Sequence, residues 1–120
     1  MEVWVVIYNR EYEIFRDKEE GYKYAFEQLY MSMAYTMEDQ KRRGYYCSAF
    51  NNDISRRKAE INIAEKRLGE IRDSDLSWED KYNSIYKIQS NGINNEQWYF
   101  DNYLVADINV NIYIERKFLH

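Results

Sequence analysis

The feature that most constrains the fold of this chain is a strict alternation of apolar residues near its C-terminus. Between positions 104 and 114, every second residue is apolar: Leu104, Ala106, Ile108, Val110, Ile112 and Ile114. Successive side chains of a β-strand point to opposite faces. The pattern therefore predicts one long strand with a continuous apolar face. The residues between them include Asp107, Asn109 and Asn111, so the opposite face is expected to meet water or a polar ligand.

The N-terminal segment predicts a β-hairpin. Residues 3–8 are β-branched, aromatic or otherwise apolar, a composition that favours a strand. Asn9 and Arg10 follow, and alternation then resumes in residues 11–16. Two short strands around a two-residue turn are typical of a hairpin. Strands from both ends of the chain are expected to pair, and the C-terminal strand is long enough to extend beyond a small sheet and pair with another copy.

Three helices are predicted between these strands. Asp17, with Glu20 three residues later, predicts the start of a helix that runs from about Lys18 to Arg43 and stops at Gly44. Its apolar face is Tyr22, Phe26, Leu29, Tyr30, Met33, Ala34 and Met37. A second helix, capped within residues 51–53, carries a narrow apolar seam: Ile54, Ile61, Ala64, Leu68 and Ile71. Ser77 and Asp80 predict the start of a short third helix with Trp78, Tyr82, Ile85 and Tyr86.

These elements predict a single α+β domain that spans residues 1–120. An antiparallel sheet, built from the N-terminal hairpin and the long C-terminal strand, packs against two long helices and one short helix. A chain of 120 residues is of ordinary length for one domain.

Composition excludes several classes of protein. The net charge is −4, whereas a general duplex-DNA binder is usually basic. The N-terminal segment lacks the basic residues of a signal peptide, and no stretch approaches the roughly 20 apolar residues of a membrane span. The single Cys cannot form an internal disulfide, which favours a reducing compartment. We therefore expect a protein of the host-cell cytosol that contacts neither membrane nor duplex nucleic acid.

The side-chain inventory favours binding over catalysis. The chain has 13 Tyr, 3 Trp and 5 Phe, but only one His, His120, and one Cys, Cys47. Aromatic side chains supply broad contact area and stacking faces. A nucleophile–base pair and a Cys/His cluster with metal-ligand spacing are both missing from the sequence pattern. The sequence therefore predicts a protein that is not an enzyme, with no cofactor and no metal.

The predicted ligand-binding residues are arginines, asparagines and aromatics with complementary roles. Arginine forks bind phosphate in a bidentate manner, aromatic rings stack on bases, and asparagine amides can hydrogen-bond to a base or ribose. The residues assigned to these roles are Arg56, Arg57, Arg116, Asn91, Asn94, Trp98 and Phe100. The alternative for the arginines is a solvated helix or strand end, and the alternative for Trp98 and Phe100 is the core.

The segment VWVVIYNREYEIF followed by DKEEGYKYAFEQL resembles the start of many small phage proteins, and the whole layout is similar to the Thoeris anti-defence family. Members of that family sequester a cyclic ADP-ribose immune signal, without degrading it, in pockets of an oligomer. The resemblance covers about the first quarter of the chain and the order of elements. It implies arginines on the diphosphate and an aromatic ring on the adenine, but it assigns no particular residue.

Taken together, the sequence predicts a non-catalytic phage protein that sequesters a nucleotide-derived signal as a homo-oligomer. The alternative is a protein–protein inhibitor of a host defence enzyme, such as an anti-CRISPR, because tyrosine-rich surfaces also suit protein interfaces. A structural phage protein is a third possibility.

Overall fold

The computed structural model describes residues 1–8, 10–44, 54–88 and 112–119. Along the chain the elements are β1 (Glu2–Tyr8), β2 (Glu11–Phe15), α1 (Lys18–Arg42), α2 (Ile54–Arg72), α3 (Trp78–Ile88) and β3 (Ile112–Phe118). The predicted α+β class is confirmed, with one antiparallel sheet, a long first helix and two shorter ones. No helix in these ranges combines the length and apolar character that a membrane crossing requires.

The sheet has the strand order β2-β1-β3, with both neighbours antiparallel to β1. Tyr8 pairs with Glu11, which confirms the predicted two-residue hairpin turn. Arg10 has a φ of 69°, in the left-handed region that tight hairpin turns demand. The predicted pairing of the two chain ends is also confirmed, because β1 pairs with β3 from Glu2↔Phe118 to Tyr8↔Ile112.

The C-terminal strand differs from the prediction in where it ends. The alternation predicted a strand over positions 104–114, of which residues 104–111 lie outside the described residues. Ile112 and Ile114 face the helices, as the alternation predicted. The strand continues to Phe118 although the apolar alternation stops, because β1 supplies backbone hydrogen-bond partners along the whole of β3.

Helix α1 begins and ends where its capping residues predicted. The Asp17 side chain accepts a hydrogen bond from the Glu19 backbone N–H at 2.8 Å, which satisfies one of the helix's first free donors. At the other end Gly44 has a φ of 67°, the left-handed conformation that commonly follows a helix.

The core lies between α1, the sheet and the other two helices. Its buried apolar residues are Val6, Ala25, Phe26, Leu29, Met33, Met37, Ile61, Ala64, Leu68, Ile71, Tyr82, Ile85 and Ile112. The predicted seam of α2 is confirmed except at Ile54, which is exposed. The buried Tyr82 hydroxyl donates to the Ile112 carbonyl oxygen at 2.8 Å and so ties α3 to β3.

Helix α1 lies close to the sheet at Gly21. A Cβ at this position would lie 3.2 Å from the Cβ of Trp4 and 3.4 Å from the Cδ1 of Ile114. Side chains on the same face as Trp4, including Val6 and Ile114, therefore point towards α1. Side chains with the opposite orientation form the other face of the sheet. We call this second surface the open sheet face; its residues are Val3, Val5, Ile7, Tyr12, Ile14, Tyr113, Glu115 and Lys117.

Candidate functional site

Six of the seven predicted ligand-binding side chains lie outside the described part of the chain. Asn91, Asn94, Trp98 and Phe100 belong to residues 89–111. Arg56 and Arg57 lie in the first turn of α2, but the description does not extend to their side chains. Their convergence on one ligand stays a prediction.

The remaining predicted residue, Arg116, lies on β3 beside an acidic partner. Its Nε is 2.5 Å from Oε1 of Glu2, and its guanidinium carbon is 5.0 Å from the centre of the Phe118 ring. The side chain is more than half exposed. A phosphate at Arg116 would compete with the Glu2 carboxylate for the guanidinium.

A different group of residues forms an aromatic-walled cavity between α1 and the start of α3. This α1–α3 cleft has a volume of about 290 Å³ and is lined by Phe26, Glu27, Tyr30, Met31, Arg72 and Trp78. Helix α1 supplies four of these residues, while Arg72 ends α2 and Trp78 begins α3.

The start of α3 is held against the start of α1 by polar contacts. The Ser77 hydroxyl accepts from the Asp80 N–H at 3.2 Å, which confirms the predicted cap. The Trp78 N–H donates to a Glu19 carboxylate oxygen at 3.0 Å. A hydrogen bond to Glu79 raises the pKa of the Lys18 ammonium group, which lies 2.5 Å from that carboxylate. These contacts fix the position from which the Trp78 ring extends into the cleft.

The Phe26 ring contacts both of the other aromatic rings of the cleft, those of Tyr30 and Trp78. The Phe26 ring lies 5.8 Å from that of Tyr30, with 29° between their planes, and 5.5 Å from that of Trp78. The Lys81 ammonium lies 4.3 Å from the centre of the Trp78 ring and donates to the Arg72 carbonyl oxygen at 2.7 Å. The cation over its face and the neighbouring ring restrict the motion of Trp78.

Arg72 supplies the positive charge that lines the cleft. Its Nη1 donates to the Tyr30 hydroxyl at 2.8 Å, and its guanidinium carbon lies 5.3 Å from the centre of the Tyr30 ring. Its Nε and Nη2 donate to the two carboxylate oxygens of Asp73 at 2.9 and 3.2 Å. This bidentate hydrogen bonding raises the pKa of Arg72 and lowers the pKa of Asp73. The guanidinium is therefore held, permanently charged, at the edge of an aromatic cavity.

A second cavity carries more negative charge. It has a volume of about 430 Å³, and its lining includes Tyr24 together with the carboxylates of Glu11 and Glu13 and the guanidinium of Arg10. Partial burial, and then the negative charge of Glu13 and Glu11, raise the pKa of Tyr24. Two carboxylates and one guanidinium leave this cavity net negative, whereas Glu27 and Arg72 balance in the α1–α3 cleft, so the cleft repels an anionic ligand less.

Sequence reasoning assigned Tyr30 and Trp78 to apolar helix faces and gave no role to Arg72. One local signal pointed to their proximity. Only five residues separate Arg72 at the end of α2 from Trp78 at the start of α3, which limits the distance between them. The approach of Tyr30 to Arg72 joins positions 42 residues apart, and no local pattern encodes such a contact.

The described ranges contain no group of three or more His, Cys, Asp or Glu side chains with metal-binding geometry. A scan against protein-family models gives no match, and searches of the curated proteins and of the solved structures give none either.

Proposed function

We propose that this protein binds a planar, anionic ligand of the nucleotide class in the α1–α3 cleft and does not transform it. The arrangement of Arg72 carries the proposal. Tyr30 and Asp73 orient its guanidinium beside a cavity whose walls include the Tyr30 and Trp78 rings. Such rings stack on a base, and the guanidinium can exchange its contact with Asp73 for a phosphate.

The size of the cleft limits what part of a ligand it can enclose. Its 290 Å³ lies at the lower end of the roughly 300–1,000 Å³ typical of ligand sites. A base with its ribose, or a mononucleotide, is of suitable size. A larger molecule such as cyclic ADP-ribose would place only one of its halves here.

The contacts available in the cleft also limit its affinity. Stacking contributes about 1–3 kcal/mol per base, and a hydrogen bond to a charged group about 1.5–3 kcal/mol. The sum falls short of the roughly 8 kcal/mol that corresponds to micromolar binding. A single cleft therefore predicts a dissociation constant in the high micromolar range or weaker, and tight sequestration requires contacts beyond those of the cleft.

Sequestration of a nucleotide-derived immune signal is the biological role we propose for this binding. It is supported by the N-terminal segment and element order that resemble the Thoeris anti-defence family. The predicted phage origin and oligomeric assembly belong to the same proposal.

Calorimetric titration with AMP, cyclic AMP, ADP-ribose and cyclic ADP-ribose tests the site. We expect Arg72→Gln to weaken binding of all four ligands at least tenfold, because each ligand carries phosphate and the variant removes the cleft's cation. Trp78→Leu should weaken all four ligands, because it removes a stacking face. Arg67→Gln is the matched control, since Arg67 is an exposed α2 arginine that does not line the cleft.

Circular dichroism and thermal unfolding of each variant separate lost binding from lost folding. If the Arg72→Gln and Trp78→Leu variants are folded and bind the ligands as the wild type does, the ligands do not bind in the α1–α3 cleft. The absence of binding by the wild-type protein to all four ligands would contradict the proposed function itself.

A further inference from the structure

The open sheet face is apolar along its centre. Val3, Val5 and Ile7 of β1 form its middle row, and Ile14 of β2 lies beside Val5. Leu119, just beyond β3, joins them around a shallow groove of about 400 Å³. Ile14 and Leu119 are 53% and 52% exposed. Val5 and Ile7 are partly exposed, whereas Val3 is buried, with 1% of its surface exposed. Exposed apolar surface such as that of Ile14 and Leu119 usually marks an interface when it is contiguous with further apolar residues.

Two opposite charges lie on the same face along β3. Glu115 pairs across the sheet with Val5, and Lys117 with Val3, so both side chains point to the open sheet face. The Lys117 ammonium lies 3.4 Å from the Glu115 carboxylate, and both side chains are about half exposed. The face therefore carries an apolar centre and, at one side, a positive and a negative charge one row apart.

We propose that a second copy of this chain packs face to face on the open sheet face. The order of these two charges favours a copy over an unrelated partner. Consider a two-fold axis that crosses the strands between the Val3–Lys117 row and the Val5–Glu115 row. It places Lys117 over the partner's Glu115, and both of these side chains are accessible to a partner. The same operation repeats each contact, so the pattern is complementary to itself.

The dimensions of the face predict a weak dimer. The seven-residue strands β1 and β3 span about 23 Å, β2 is two residues shorter, and three strands are about 14 Å wide, so each protomer contributes a plan area of roughly 300 Å². Stable complexes typically bury about 800 Å² per partner. We therefore expect dimers to form at micromolar or higher concentration, as a reversible equilibrium.

Sedimentation velocity over a range from about 5 to 500 µM tests the proposal with charge reversals. Glu115→Lys places two lysines on the face, and Lys117→Glu places two glutamates there. Each variant alone should dimerise at least tenfold more weakly than the wild type, because like charges then oppose each other across the axis. An equimolar mixture of the two variants should form a heterodimer, because every opposed pair is then of opposite charge.

Restoration in the mixture cannot arise from misfolding, since both variants must be folded to complement each other. Ile14→Lys, on the face, should also abolish dimers. Ile63→Lys is the matched control, since Ile63 is an exposed α2 residue on another side of the molecule and its change should leave dimerisation intact.

Three results would overturn the proposal. One is a wild-type protein that is monomeric throughout the concentration range. Another is a dimer that neither charge reversal weakens. The third is an Ile14→Lys variant that fails to fold, which would show that other residues of this chain cover the sheet face. If the wild-type protein is monomeric throughout the range and Ile14→Lys leaves its stability unchanged, a second copy is rejected and an unrelated partner protein is favoured.

Discussion

At the scale of single residues, Arg72 both connects three parts of the fold and lines the candidate site. Its guanidinium contacts Tyr30 from α1 and Asp73 from the turn that leads to α3, and its carbonyl accepts from Lys81 of α3. Local sequence predicted the Asp17 and Ser77 caps, because a cap depends on residues two or three positions apart. It could not predict the Tyr30–Arg72 contact, because the packing of two helices brings these residues together.

The Arg72–Asp73 pair predicts a pH-dependent contribution to stability. The pKa of Asp73 is lowered in the folded protein by hydrogen bonding from Arg72. Its stabilisation is therefore fully present above the ordinary pKa of 3.8 and is lost as the pH falls through the lower folded value. We expect Asp73→Asn to reduce the urea midpoint at pH 6 and to have no effect at the acidic end of the titration.

Asp75→Asn is the control for this measurement, because it removes a neighbouring negative charge that has no ion pair with a described residue. Asp73 is exposed, so the expected effect is small. An Asp73→Asn deficit that persists unchanged at low pH would show that the ion pair is not its cause.

At the scale of elements, the order and type of the helices and strands could be predicted because each depends on local patterns. The hairpin turn, the helix ends and the alternation at Ile112 and Ile114 all lie within a few residues of their signals. The apolar character of the open sheet face was not predicted. The residues of Val3–Tyr8 are apolar on both faces of β1. A solvent-exposed strand face would carry polar residues instead, so this pattern was the signal in the sequence that the second face is apolar.

The contact of α1 with the sheet depends on the absence of a side chain at Gly21. We expect Gly21→Val to lower the free energy of unfolding by about 1–3 kcal/mol, because the added atoms would overlap with Trp4 and Ile114. Chemical denaturation monitored by circular dichroism measures the change.

The matched control is Gly69→Val in α2, where a Cβ meets nothing within 4 Å. Its effect should stay within about 0.5 kcal/mol, because only the difference in helix propensity remains. Equal effects at the two glycines would contradict the close approach of α1 to the sheet.

At the scale of the whole molecule, the structure separates two surfaces with different chemistry. The α1–α3 cleft carries aromatic rings and a guanidinium, whereas the open sheet face carries an apolar row with paired charges. The two lie on different elements, so ligand binding and self-association can be tested independently. The sequence predicted binding through aromatic and basic groups, and this stays a prediction, because the residues assigned to it mostly lie outside the described part of the chain.

Recovery of bound ligand after equilibrium dialysis tests the central claim most directly. The protein is dialysed against AMP or cyclic ADP-ribose, denatured by heat, and the released ligand is identified by mass spectrometry. The account predicts that the ligand accumulates on the protein side of the membrane, that it is released chemically unaltered, and that Arg72→Gln abolishes the accumulation. A chemically changed product formed in proportion to the protein added, or accumulation that does not depend on Arg72, would contradict it.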